Sequence, residues 1–142
     1  MTIKTMRIAA ILLLASLSLF SCKRGNGIDP VFVKTWGLYE LADTTFSIPD
    51  GYIYVQLDGK GNASGYGGCN NFSGTYSAGL KDGTIKFSRL TSTLLWCDYG
   101  ELETRFMNAL QEANRCKVYN TGNNLMALYR DNTFLATLRV VQ

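Results

Sequence analysis

The sequence predicts an α+β fold in which a strongly curved antiparallel β-sheet is covered by a single helix at one opening or edge. About seven short segments have the alternation or the β-branched and aromatic content of strands, and tight turns join most of them. One helical pattern occurs late in the chain, and no internal repeat is visible. Short strands joined by tight turns, with one inserted helix, indicate this class of fold.

The N-terminal segment resembles a bacterial lipoprotein signal peptide. Lys4 and Arg7 precede an apolar run over residues 8–20, and "LFSC" places a small residue directly before Cys22. The pattern predicts a signal peptide over residues 1–21, acyl chains on Cys22 and a polar tether over residues 22–30. An ordinary secretory signal and an uncleaved anchor are the alternatives, although a run of about 13 residues is short for a membrane span, which needs about 20.

The predicted mature protein keeps 121 of the 142 residues, which is enough for one folded domain over residues 31–142. Loss of Lys4 and Arg7 leaves 12 basic and 11 acidic side chains, a net charge of +1. These charges are scattered along the chain, whereas binding to nucleic acid needs a clustered basic surface. We therefore expect no nucleic-acid partner.

Strand patterns alternate with turns in the first half of this domain. "WGLYEL" at residues 36–41 and "YIYVQL" at residues 52–57 have strand composition, and a Pro-Asp-Gly turn lies between them. "DGKGN" at residues 58–62 predicts a hairpin turn into a strand at residues 62–66, because it lacks the acidic ligands of a calcium loop.

The stretch "GYGGCNNFSGTY" is rich in glycine and asparagine and could either turn the chain or hold a ligand. After it, strand pattern continues at residues 75–77, and an Asp-Gly turn leads into "TIKFSRL". Ile85 and Phe87 alternate there with Lys86 and Ser88, which predicts one buried face.

"DYGELETRFMNALQEA" predicts an amphipathic helix of three to four turns. Asp98 and Glu101 have the spacing of a capping box. Apolar residues recur at helical spacing, at Leu102, Phe106, Ala109, Leu110 and Ala113. The opposite face, with Glu103, Arg105, Asn108 and Glu112, is predicted to be solvated. Three further strands are predicted at residues 116–119, 125–129 and 133–141.

Three cysteines remain beyond Cys22, namely Cys69, Cys97 and Cys116. Export to an oxidising compartment favours at least one disulfide, and three thiols cannot all pair within the chain. A metal site is the alternative. The chain has no histidine and no C-x-x-C spacing, so we expect no metal.

No catalytic constellation is visible in the sequence. The absence of histidine removes the usual general base, and no dinucleotide or P-loop motif occurs. Asp98, Glu101 and Glu103 form the one dense acidic group, at a helix N-terminus where the dipole and capping favour acids. We therefore expect a protein without enzymatic activity or a cofactor. The 17 aromatic residues are most simply cross-strand packing, with sugar or lipid binding as the alternative.

The order of motifs resembles the META domain of the HslJ-like heat-shock lipoproteins. The pieces are "WGLYEL", "GYGGCNNFSGTYS", "IKFSRLTSTLLWC", "ELETRFMNAL" and "NNLMALYRDNTFLATL", which extend from Trp36 to about Leu138. The residues that match the family pattern are Trp36, Gly68, Cys69, Asn70, Gly74, Tyr76, Thr93, Cys97, Glu101 and Phe106.

The resemblance implies an incomplete barrel of antiparallel strands with one helix, and a structural role for the glycine-asparagine stretch. It places Cys69 close to Cys97, with Cys116 as a free thiol packed like a small hydrophobe. Such a disulfide would close a loop of about 28 residues and stabilise the fold by on the order of 3 kcal/mol.

Function follows from the resemblance as an expectation. Family members are associated with heat shock, envelope stress or drug tolerance, so we expect a non-enzymatic envelope lipoprotein that binds another envelope component, protein or lipid. Lys23, with no acidic run behind it, favours an outer-membrane anchor facing the periplasm. The alternative is a carrier of an acyl chain, by analogy with secretin pilot lipoproteins of similar fold.

Overall fold

The computed structural model describes residues 27–142 except residues 121 and 123. The predicted signal peptide, Cys22 and most of the tether lie outside these residues. The described part contains nine strands and one helix. They are β1 (Thr35–Leu41), β2 (Tyr54–Leu57), β3 (Asn62–Tyr66), β4 (Asn71–Gly79), β5 (Thr84–Phe87), β6 (Thr91–Ser92), α1 (Gly100–Glu112), β7 (Arg115–Tyr119), β8 (Leu125–Arg130) and β9 (Thr133–Val140).

Eight of the strands form a closed antiparallel barrel. Their order is β3-β2-β1-β9-β8-β7-β5-β4, and β3 also pairs with β4, so the ring closes on itself. The short β6 pairs with β4 outside the ring. The α+β class with one helix is confirmed, whereas the prediction of an incomplete barrel is wrong. The ring closes between β5 and β7, where Thr84 lies opposite Arg115 and the Cys116 N–H donates to the Gly83 carbonyl at 2.9 Å.

Each end of the barrel is covered by a different segment. A turn at residues 29–33 buries Phe32 at the start of β1, and the Trp36 indole N–H donates to the Phe32 carbonyl at 3.0 Å. The helix α1 covers the other end and buries Phe106, Ala109 and Leu110. The Phe106 ring meets the Phe72 ring of β4 at a centroid distance of 6.2 Å.

The interior between these ends is filled by apolar side chains. Eleven large residues are fully buried: Trp36, Phe32, Phe106, Ile53, Leu57, Ile85, Leu110, Met126, Leu128, Leu138 and Val55. They come from five of the strands or their neighbouring turns and from α1. A core of this kind is the main source of stability in a single small domain.

The predicted helix is present, but the predicted capping box is wrong. The N-cap residue is Tyr99, and no side chain makes a cap hydrogen bond. Glu101 instead forms an exposed ion pair with Arg105 one turn later, at 3.0 Å.

Within the described ranges, no helix is long and apolar enough to cross a bilayer.

The predicted hairpin turn at residues 58–62 is confirmed. The Asp58 carboxylate accepts hydrogen bonds from the backbone N–H groups of Lys60 and Asn62, at 2.9 and 2.8 Å. Next to this turn the buried Tyr76 donates its hydroxyl proton to the Asp58 carbonyl at 2.7 Å. Burial, together with the negative charge of Asp58, raises the pKa of Tyr76 to about 12.

Tyr76→Phe tests this contact through the pH dependence of stability. The folded protein keeps the Tyr76 phenol protonated up to its pKa of about 12, whereas tyrosine in an unfolded chain ionises near pH 10. The free energy of unfolding therefore falls as the pH rises from about 10 towards about 12, because only the unfolded state loses this proton. We expect Tyr76→Phe to fall less steeply there, and to be about 1 kcal/mol less stable at neutral pH through loss of the hydrogen bond.

Urea unfolding followed by circular dichroism, at neutral pH and in steps above about pH 9, gives both quantities. Tyr39→Phe removes an exposed phenol and serves as the control. An alkaline fall of equal steepness in wild type and Tyr76→Phe would contradict the assignment.

Candidate functional site

The glycine-asparagine stretch is a tight turn between two neighbouring strands. Residues 67–70, which we call the GGCN turn, connect β3 to β4, and the Gly67 N–H donates to the Asn70 carbonyl at 2.9 Å. Gly68 has φ = +113°, a conformation that residues with a side chain rarely adopt. The sequence therefore needs glycine at this position, and the stretch turns the chain as the family resemblance implies.

Asn70 is the buried centre of a polar network, with 5% of its surface exposed. Its amide nitrogen donates to the Leu95 carbonyl at 2.9 Å and to the Glu103 carboxylate at 2.6 Å. Its amide oxygen accepts from the Thr93 hydroxyl at 2.7 Å and from the Leu95 N–H at 2.6 Å. Because the Leu95 backbone fixes which group donates and which accepts, the orientation of the amide is determined and its capacity is fully used.

Glu103 holds the GGCN turn from the helix side. One carboxylate oxygen accepts the backbone N–H groups of Cys69, at 3.0 Å, and Asn70, at 2.7 Å. A Cβ atom at Gly67 would lie 2.5 Å from the same oxygen, so only glycine leaves room for the carboxylate. The prediction that Glu103 lies on a solvated face is thus wrong. The position of Glu103 in the helical pattern could not predict this role, because the role depends on a turn more than 30 residues earlier in the sequence.

The predicted disulfide is confirmed. Cys69 in the GGCN turn is bonded to Cys97, with the two Cα atoms 5.6 Å apart. The bond joins the same two segments as the Asn70 network. Cys116 is buried and is the free cysteine of the described part, and burial raises the pKa of its thiol to about 11. A thiol of this kind stays protonated at neutral pH and packs as a small apolar group.

The family-pattern residues divide into two groups. The GGCN turn and the segment before α1 bring together Gly68, Cys69, Asn70, Thr93 and Cys97. The other residues stabilise the barrel elsewhere or lie on its surface: Trp36 and Phe106 in the core, Gly74 against the Leu90 side chain, Tyr76 against Asp58, and Glu101 in an exposed ion pair.

The segment that the network holds carries three consecutive apolar side chains in solvent. Leu94, Leu95 and Trp96 are 95%, 69% and 88% exposed, and we call them the apolar segment. Its backbone is nevertheless fixed on both sides, since Asn70 binds both backbone groups of Leu95 and Cys97 is covalently bonded. No role was predicted for these residues from the sequence. The signal that could have identified them is a run of three bulky apolar residues, without alternation, between Thr93 and Cys97.

An open groove of about 850 Å³ lies between the apolar segment and α1. Leu90, Met107 and the apolar segment supply its apolar surface. Asp98, Glu101 and Glu103 supply three carboxylates, and the described residues that line it include no lysine or arginine. The lining of the groove therefore combines apolar side chains with carboxylates.

The fold and this site define a class of small closed antiparallel barrels whose single helix is joined to a glycine-asparagine turn by a polar network and a disulfide. A sequence model of the META domain matches residues 29–142, and the chain belongs to the META domain family. This confirms the resemblance derived from the motifs, since HslJ-like is a related name for the same family. No curated protein matches the chain.

Solved structures show the same fold. A protein from Burkholderia xenovorans, solved by NMR, is 27% identical with a TM-score of 0.63, over 80% of this chain and 85% of that one. A DUF4847 family protein from Bacteroides vulgatus, solved by crystallography, is 14% identical with a TM-score of 0.56, over 78% and 93%. A second NMR structure is 21% identical with a TM-score of 0.54, over 77% and 90%.

Asn70→Ala should destabilise the protein strongly. The substitution leaves the Thr93 hydroxyl, both backbone groups of Leu95 and one Glu103 oxygen without their partner. Because a buried side chain and its four part-buried hydrogen bonds are lost together, we expect the free energy of unfolding to fall by about 2–4 kcal/mol.

Asn71→Ala is the matched control, since Asn71 is the exposed neighbour of Asn70 in the sequence. We expect its effect to stay within about 0.5 kcal/mol. Urea unfolding of the oxidised proteins measures both changes. Equal effects of the two substitutions would show that the Asn70 network contributes nothing beyond an exposed asparagine.

Glu103→Gln should loosen the GGCN turn. The charge-assisted hydrogen bonds from Cys69 and Asn70 are lost or weakened, because an amide offers only one acceptor oxygen. We expect faster hydrogen exchange at the Cys69 and Asn70 N–H groups and a loss of about 1–3 kcal/mol in the free energy of unfolding.

Glu101→Gln, two residues away on the same helix, should leave both exchange rates unchanged because Glu101 contacts only the exposed Arg105. Exchange can be followed by NMR on the oxidised protein. Unchanged exchange in Glu103→Gln would show that the carboxylate does not hold the turn.

Proposed function

We propose that this chain is a lipid-anchored protein of the cell envelope, without catalytic activity, that supports tolerance of envelope stress by binding another envelope component. The anchor is Cys22, and the outer membrane, with the domain facing the periplasm, is the proposed location. Three things support the proposal: the signal-like N-terminus, the membership of the META domain family and the surface chemistry of the site.

The observation that carries the binding role is the exposed apolar segment. Leu94, Leu95 and Trp96 lie in solvent on a backbone that is fixed by hydrogen bonds and a disulfide. Burying one such side chain is worth about 1.5–3 kcal/mol, so their exposure is unfavourable in the isolated protein. Contiguous exposed apolar residues of this kind mark sites that another molecule covers.

The polar side chains of the site support a non-enzymatic role. Asn70, Thr93 and Glu103 point towards one another and towards backbone groups, and their hydrogen bonds connect parts of the fold. A catalytic group must instead reach a substrate with a free donor or acceptor. The groups that face solvent are apolar, which suits recognition.

The acyl-chain carrier gains no support from the fold. A carrier needs an apolar cavity, of about 300 Å³ or more for a drug-sized ligand. The barrel interior is instead packed with large side chains, among them Trp36, Phe32 and Phe106. We therefore propose the binding role alone.

Deletion and complementation in the host bacterium test the proposal. We expect the deletion strain to survive heat and membrane-active detergent less well than its parent, and the wild-type chain to restore survival. Cys22→Ala should be exported without its anchor and should restore little, because the domain no longer stays at the membrane. Cys116→Ala alters a buried thiol that does not line the groove, and it should complement fully.

Membrane fractionation of the same strains places the protein in the inner or outer membrane. Survival of the deletion strain equal to that of its parent under both stresses would contradict the stress role. Full complementation by Cys22→Ala would contradict the need for the anchor.

A further inference from the structure

We propose that the groove between the apolar segment and α1 is a docking groove for a peptide segment of an envelope protein in which apolar side chains are flanked by lysine or arginine. The inference rests on the proposed binding function and specifies where the partner binds and what chemistry it carries. It depends on three features of the described residues: the apolar wall, the acidic wall and the position of the groove relative to the tether.

The apolar wall supplies the contact area. Leu94 and Trp96 extend almost fully into solvent, and Met107 on α1 lines the same groove. The backbone beneath is held by Asn70 and by Cys97, so binding orders few additional groups. A preorganised surface loses less entropy on association, and tryptophan is enriched among the residues that dominate binding energy.

The acidic wall selects the charge of the partner. Asp98, Glu101 and Glu103 line the groove without a basic residue among its described lining, although the predicted mature chain is nearly neutral. Glu103 is engaged with the GGCN turn and Glu101 is paired with Arg105, whereas the exposed Asp98 at the rim has no ion pair among the described residues. Complementarity of charge across an interface favours a cationic partner and disfavours an acidic one.

The position of the groove favours a protein over the bilayer. Ile28 belongs to the predicted tether at residues 22–30. It lies beside Gly61, just before the start of β3. The GGCN turn and the groove lie beyond the other end of β3, after Tyr66. Five strand residues separate these ends by about 16 Å. The tether therefore attaches at the end of the barrel opposite the groove, and the exposed carboxylates would be repelled by anionic headgroups.

Site-specific photocrosslinking in the host envelope tests the proposal with the full-length, anchored protein. Leu94→benzoylphenylalanine and Trp96→benzoylphenylalanine place the probe in the groove, and Leu80→benzoylphenylalanine places it at an exposed control position on the turn after β4. We expect a protein adduct from the two groove positions and none of the same mass from Leu80.

Mass spectrometry of the crosslinked peptide decides whether the partner has the proposed chemistry. A peptide with apolar residues beside two or more lysines or arginines supports the inference. A partner peptide without basic residues overturns it, as do adducts with lipid, adducts with a second copy of this chain, or no groove adduct at all.

Charge reversal at the rim gives a second measurement. Asp98→Lys should lower the adduct yield at the Trp96 position by about fivefold, because it replaces an attractive charge by a repulsive one. Asp82→Lys makes the same change in the exposed turn between β4 and β5 and should leave the yield unchanged. Equal yields from the two variants would overturn the electrostatic part of the proposal.

Complementation separates this inference from the proposed function. If wild type restores stress survival and the double variant Leu94→Ser, Trp96→Ser restores it equally, the docking groove is wrong while the stress role stands. If the deletion strain has no stress defect but the groove crosslinks to a basic apolar segment, the docking groove stands and the stress role is wrong. Because both leucine and tryptophan side chains are exposed, the double variant should fold, which circular dichroism can check.

Discussion

The buried amide of Asn70 is the interaction on which the site depends. It joins three segments that are distant in the sequence, the GGCN turn, the backbone at Leu95 and the helix residue Glu103. A buried amide is favourable only when all its partners are in place, since each missing one leaves a desolvated polar group. The three segments are therefore fixed together or not at all. The position of the helix over the barrel and the position of the apolar segment are two consequences of the same constraint.

The disulfide and the network connect the same segments but act on different states. A bond between Cys69 and Cys97 stabilises mainly by restricting the unfolded chain, and the effect grows slowly with the length of the loop that it closes. It leaves the angle and depth at which the segments meet largely free. Asn70 and Glu103 supply that geometry through directed hydrogen bonds. The covalent bond thus keeps the segments near each other, and the polar network determines their arrangement.

The parts of the fold that the sequence predicted are those set by local pattern. The turn at residues 58–62 follows from its Asp-Gly pair and the strand at residues 62–66 from the hairpin that this turn begins, and both are present. Barrel closure depends instead on the long-range pairing of β5 with β7, which leaves no periodic pattern in the sequence. The predicted capping box is wrong because the helix begins one residue later than the pattern requires, with Tyr99 rather than Asp98 as the N-cap residue. Glu103 could not be assigned, because its partners become neighbours only in the folded barrel.

The orientation of the polar groups bears on what this site can do. In a catalytic pocket, hydrogen-bond donors and acceptors face the space that the substrate will occupy. Some of these groups have no partner until the substrate binds. Here the corresponding groups of Asn70, Thr93 and Glu103 face one another, and the side chains turned to solvent are two leucines and a tryptophan. The network stabilises a surface that would be unfavourable in isolation, because apolar side chains would otherwise move into the core or collapse onto the barrel. The disulfide and the buried amide thus hold these residues in water, and the proposed partner is the molecule that would cover them.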